Sequence, residues 1–332
     1  WRRRHALCLD LSLHRAECDD LLGRHDEAER GFEEILREGT SDAERCLVHR
    51  ARMALARSRG QEGAAIAAAD RGLALLGLTI PGDEAALDEA AAEATQEVLA
   101  RLGPAALVAL AEAPPVRDPE ERARARFLLE ALGQGAPPFG ARARLLAAML
   151  VRHALDHGAS ASCGGFVPFG MVIGARHGEH QVAHALGRAA LRVAERIDEP
   201  GLRPTIHFGL GAYLGPWRRP LRESFLHLEQ AFVGSVEAGA LAQAGAAAVM
   251  STWMRVLAGE ELYGLDERAQ RSRGLVQRLG LAQQAQGIAV AQRAIARLTS
   301  GLLPDDERAW LDEEPMLRAL GGWPLGLAAF WI

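Results

Sequence analysis

The sequence predicts an all-α protein: an α-solenoid of helix-turn-helix repeats wound into a right-handed superhelix. Three observations carry the all-α class, and a frame that recurs between helices carries the solenoid. Ala, Leu, Arg and Glu dominate the 332 residues, while only 2 are Tyr and β-branched residues are sparse, a composition that favours helix over strand. Apolar residues recur with the helical period. The periodic stretches are short and end at Gly, Pro or Asp clusters at regular intervals, as helix–helix connections of a few residues require.

Taken in order, the predicted helices are 5–22, 25–38, 42–58, 61–77, 83–101, 104–112, 118–133, 140–157, 162–176, 179–197, 201–214, 219–238, 241–258, 261–279, 282–300 and 305–319, with another starting near 325. Ala28, Phe32, Ile35 and Leu36 share one face of the second. Val182, Leu186, Ala189, Ala190, Val193 and Ile197 repeat that stripe, as do Leu221, Phe225, Leu228 and Phe232. No segment alternates with period two between hairpin turns. The stretch 103–138, with Pro104, Pro114, Pro115, Pro119, Pro137 and Pro138, breaks the rhythm. The expected organisation is therefore N-terminal helical repeats over 1–102, an irregular Pro-rich helical joint over 103–138, and C-terminal helical repeats over 139–332. Chain ends at Trp1 and Ile332 read as cuts within something longer.

A frame recurs between helices. Gly23, His25, Ala28 and Phe32 match Gly60, Glu62, Ala65 and Ala69, and again Gly178, His180, Ala183 and Gly187. The spacing resembles the tetratricopeptide turn, where a small residue lets two helices cross closely and a larger one fills the gap. His or Glu stands where that pattern has an aromatic residue, and the first two copies lie 60 − 23 = 37 residues apart.

Composition excludes several chemistries. All 38 basic residues are arginine, so the chain holds no P-loop lysine, no kinase β3 lysine and no Schiff-base amine. A net charge of −5 argues against a general nucleic-acid footprint. No apolar run reaches the length of a membrane span. Cys8, Cys18, Cys46 and Cys163 form no C-x-x-C and read as buried, reduced thiols of a cytoplasmic protein.

The segment Pro216-Trp217-Arg218-Arg219-Pro220-Leu221-Arg222-Glu223-Ser224, followed by Glu229-Gln230-Ala231 and Glu237-Ala238-Gly239, resembles the tetratricopeptide-like helical-repeat region of bacterial multidomain AAA-type "predicted ATPase" signalling kinases. Those proteins carry Ser/Thr kinase domains, sensor histidine-kinase domains or both. Their pattern has His-Trp before Pro-Leu-x-Glu-Ser; here Pro216 takes the place of the His. Arg15–Cys18 through Glu27–Glu29, Leu75–Leu78 with Pro81, and His153–Gly158 also look like that family. The resemblance implies a repeat segment after the ATPase module and before the sensor domains, with no catalytic residue to carry over.

Candidate chemistry is sparse. His180 and His184, one turn apart beside His177, have a zinc-compatible spacing but form no H-E-x-x-H and have no third ligand nearby in sequence. His180 also holds the frame's aromatic position, where a packed ring is expected. His153 and His157 repeat the spacing at a helix end, where cations complement the helix dipole. Gly209, Gly211 and Gly215 follow no strand and depart from the dinucleotide spacing, so they read as close helix packing. Gly158–Gly165 lacks G-x-S-x-G and reads as a loop with Ser160 or Ser162 as N-cap. The acidic group Asp305–Glu307 with Asp312–Glu314 reads as a solvated helix face. Trp217, Arg218 and Arg219 have the composition of an interface anchor or of a staple between repeats.

The expected function is a non-catalytic helical-repeat scaffold or sensor segment, cytoplasmic, with no cofactor and no metal. Its partners would be protein segments or neighbouring domains of the same chain, and neither nucleic acid nor membrane. Two alternatives stay open: the sensory repeat domain of an ATP-dependent transcription regulator, and a metalloenzyme built on the His177–His184 cluster.

Overall fold

A computed structural model of the chain describes residues 4–133, 140–197, 199 and 201–300. Among them the fold is all-α. In order, the helices are α1 (His5–Leu21), α2 (His25–Glu38), α3 (Asp42–Ser58), α4 (Glu62–Leu75), α5 (Glu84–Arg101), α6 (Pro104–Glu112), α7 (Pro119–Leu132), α8 (Ala141–His157), α9 (Phe166–His177), α10 (His180–Ala194), α11 (Leu202–Gly209), α12 (Leu221–Glu237), α13 (Leu241–Leu257), α14 (Leu262–Arg278) and α15 (Ala282–Ser300). The predicted helix at 305–319, the one near 325 and the acidic group beginning at Asp305 lie outside the described residues.

Local chemistry explains most boundaries. Ser41, Asp83 and Asp118 cap α3, α5 and α7 by accepting hydrogen bonds from the backbone N–H groups of Glu44, Ala86 and Glu120. Pro104 and Pro119 each open a helix, where the missing N–H costs nothing. The prolines at 104 and 119 thus start helices within the predicted joint, and residues 134–139 of that joint are not among the described ones.

Gly23, Gly60 and Gly178 do something other than what their frame implies. A Cβ on any of them would meet nothing within 4 Å, so they are not close-crossing points. Their φ angles of +78°, +67° and +71° place them in the left-handed region, where they end α1, α3 and α9. At Gly23 the turn is closed by Gly23 N–H to Asp20 C=O (2.9 Å) and Arg24 N–H to Asp19 C=O (2.8 Å), and the same pair of bonds recurs at Gly60. The close approaches fall elsewhere: Gly72 under the Phe127 ring, Gly165 against Leu150, and Gly187 against Leu210 and Leu214. Ala28, Phe32, Ala65 and Ala183 from the frame are all buried.

Two predicted helices have a different start or finish. The segment before α9 is a 3-10 turn, Ala161–Gly165, capped by Ser160 and pressed onto α8 where only Gly165 leaves room for Leu150. The segment after α11 widens into a π-helical turn, Leu210–Leu214, closed by Gly215 N–H to Leu210 C=O. Gly211 lies there against Leu228, His227 and Ser224 of α12, and Pro216 then stops the chain from resuming an α-helix.

The described chain forms two compact units. One comprises the residues up to Gly178 with Arg192–Ile197; the other comprises Glu179–Leu191 and the described residues after Ile197. In the first, Leu9, Ala28, Phe32, Ile35 and Val48 make a core for α1–α3. Met53, Leu73, Phe127, Leu146 and Leu150 make the core beneath α3, α4, α7 and α8, and α5 packs on α8. Arginine joins the helices at their edges: Arg50 pairs with Glu130 (2.6 Å) and Arg144 with Asp88. In the second unit, Leu228 and Met254 pack with Ala212, and Val249, Val276 and Ile288 form a core for α13–α15. No helix among the described residues is long and apolar enough to cross a membrane. Cys46 and Cys163 are buried, but Cys18 is exposed and Cys8 half-buried, so only two thiols take the expected core positions.

Candidate functional site

Trp217 ends a single 3-10 turn, Gly215–Trp217, just after the π-helical turn, and is 69% exposed. It is not loose. The His180 ring of α10 stacks on it, with ring centroids 5.0 Å apart and planes 13° from parallel. The frame's aromatic position is thus filled by an imidazole in ring contact. Arg218 and Arg219 are exposed beside it; Arg219 donates from Nε to Glu223 Oε2 at 2.9 Å.

Behind this surface lies a group of histidines. His207 Nδ1 meets His227 Nδ1 at 2.9 Å, so one ring donates and the other accepts. Burial, then the neighbouring His227 and Arg203, pushes the pKa of His207 down to about 4. Burial first, and then Arg188, lowers His227 against the opposing pull of Glu223. Burial also lowers His184, reinforced by Arg188, Arg219, His227 and Arg218. These imidazoles are therefore neutral at neutral pH, and Arg188, Arg218 and Arg219 supply the positive charge. That field disfavours a cation, so His184 is a poor metal ligand. Among the described residues, His177, His180 and His184 do not converge into a ligand set with a third group.

Sequence reasoning missed a second site in the first unit. Glu121, in the first turn of α7, meets His153 and His157 from the last turns of α8. His153 Nε2 lies 3.1 Å and His157 Nε2 3.7 Å from the same oxygen, Glu121 Oε2. The two rings are 4.7 Å apart. His153 is buried, Glu121 largely so, and His157 reaches solvent. Burial, then the neighbouring His157, lowers the pKa of His153 despite the carboxylate, so the ring is neutral. Only the i, i+4 histidine spacing was visible in sequence; nothing local marks Glu121 as their partner.

The fold and these sites define an all-α protein of paired helices with an exposed Trp–Arg surface and a separate His–His–Glu convergence. Compared with protein-family models, curated proteins and solved structures, nothing matches the chain.

Proposed function

We propose that this chain is a non-catalytic helical-repeat scaffold that captures a protein segment at Trp217. Its hairpins stack as a tetratricopeptide-like α-solenoid, in the place such repeats hold in AAA-type signalling proteins, between an ATPase module and sensor domains. The single observation that carries the binding role is Trp217: a large side chain, 69% exposed, yet held in one orientation by its stack on His180. A pre-ordered aromatic ring loses little freedom on binding, and Trp and Arg are the residues on which interface energy concentrates. With Arg188 and Arg218 exposed beside neutral histidines, the fitting partner is an acidic segment with an apolar anchor.

Selection of binding peptides from a random display library against the whole chain tests this. Peptides enriched in Asp and Glu around an apolar residue are expected. Trp217→Ala should weaken them by roughly thirtyfold, the cost of a binding hot spot of about 2 kcal/mol. Arg218→Glu should weaken them further at low salt, with the thermal midpoint unchanged in both variants. Peptides that bind Trp217→Ala as tightly as the parent chain overturn the reading.

A further inference from the structure

We propose that Glu121, His153 and His157 bind a divalent transition-metal ion, zinc foremost, as a three-ligand site with one coordination position open to solvent. The inference is independent of the peptide-binding reading above. Its first support is convergence. Two imidazoles one turn apart on α8 and a carboxylate from α7, 32 residues earlier in the chain than His153, bring their ligand atoms within 4.8 Å of one another. Zinc–nitrogen and zinc–oxygen bonds of about 2.0–2.2 Å in a tetrahedron place ligand atoms about 3.3 Å apart. The 3.1 and 3.7 Å separations to Glu121 Oε2 bracket that value. The two imidazole nitrogens lie within 4.8 Å of each other.

The second support is that the fold holds the three groups in place by other means. The chain leaving α8 pairs with the chain entering α7: Ala159 N–H donates to Pro114 C=O at 3.0 Å, and Val116 N–H donates to Ala159 C=O at 2.8 Å. Gly158, at φ +102°, permits that approach, since a Cβ there would sit 2.9 Å from Pro114 C=O. Asp118 then caps α7 and Pro119 opens it, which places Glu121 in its first turn. The C-terminal end of α8 and the N-terminal start of α7 are thus locked before any ion arrives, and a ligand set built in advance costs little to organise.

The third support is donor chemistry. Two imidazole nitrogens and one carboxylate oxygen suit zinc and its transition-metal neighbours, not magnesium or calcium, which take oxygen ligands. Two histidines with one glutamate, leaving a fourth place for water, is a set that open zinc sites use. The partly exposed His157 provides the route in. Two features limit affinity. Arg124 Nε lies 3.6 Å from the same Glu121 oxygen and competes for it. His153 Nδ1 is buried without a hydrogen-bond partner, so the outer contact that steadies a metal-bound imidazole is missing. Sites lacking such a contact bind about 10- to 100-fold more weakly.

The test uses the whole chain stripped with chelator and titrated calorimetrically with zinc chloride. One ion per chain is expected, with cobalt substitution giving the visible absorption of a tetrahedral complex. His157→Ala removes the exposed ligand without opening the core, and Glu121→Gln keeps the side chain's shape; each should weaken zinc binding at least about tenfold and abolish the cobalt band. Zinc should raise the thermal midpoint of the parent chain and of His180→Ala, but not of His157→Ala. The proposal is overturned if the parent chain binds no zinc at micromolar concentrations, if His157→Ala and Glu121→Gln bind as well as the parent, or if His180→Ala is the variant that loses the ion.

Discussion

Acid should destabilise the first unit chiefly through His49, whose pKa is lowered to about 4, while the buried His153 adds a loss of the same sign. His49 lies on α3, is 5% exposed, and its Nδ1 has no hydrogen-bond partner. Burial is the main cause of its lowered pKa, reinforced by Arg52 and Arg71 against the opposing charge of Glu33, and the value falls from 6.5 to about 4. Between those two values the unfolded chain takes up a proton that the folded chain refuses. Stability is therefore complete above the unfolded value and drains away as pH falls from about 6.5 towards about 4. At about 1.36 kcal/mol per pKa unit, the shift corresponds to roughly 3 kcal/mol. His49→Leu removes both the titrating group and its unpaired nitrogen. Guanidinium unfolding of parent and variant, at steps between about pH 7 and about pH 4 and constant ionic strength, isolates the contribution, because the carboxylates common to both cancel in the difference. The stability difference should move in the variant's favour by roughly 3 kcal/mol across that window. A difference that stays flat, or an NMR titration of His49 with its midpoint near the ordinary value, refutes the reasoning. His207 adds a loss of the same sign in the second unit, since its pKa also lies at about 4.

Three further outcomes follow from packing and local geometry. Gly72→Ala should cost about 1–3 kcal/mol in denaturant unfolding, because its Cβ would collide with the Cζ end of the Phe127 ring, whereas Gly63→Ala on the open face of the same helix should stabilise by up to about 1 kcal/mol. Gly23→Ala should cost about 1–2 kcal/mol although nothing lies within 4 Å of the new methyl, because φ is +78°; Gly23→Asn should recover part of the loss. Ser41→Ala should cost about 1 kcal/mol through loss of the α3 cap, and Ser41→Asp should restore it, both read from the thermal midpoint.

Legibility in the sequence followed the range of the interaction. Leu228 and Val193 were readable as core residues because a helix repeats every 3.6 residues and both fall on its apolar stripe. The cap at Ser160 was readable because a cap is decided within three residues, and its Oγ accepts from the Ser162 N–H. The role of Gly23 and Gly60 was misread: crossing and capping both call for a small residue, and sequence alone does not separate them. Space settles it, since their Cβ positions open onto nothing while those of Gly72 and Gly187 collide with side chains from other helices. The Trp217 surface was recognised as a composition, but the ring that stacks on it is His180, 37 residues away, since 217 − 180 = 37.

The sequence by itself determined that the chain is helical, where most helices begin and end, which faces are apolar, and that arginine alone carries the positive charge. These are consequences of propensity, capping and period, each acting over a few residues. Only the tertiary structure decided which glycines admit a neighbouring helix, where α11 widens into a π-helical turn, and that Glu121 faces His153 and His157. Those depend on how helices far apart in the chain pack, through volumes and angles that no single segment encodes.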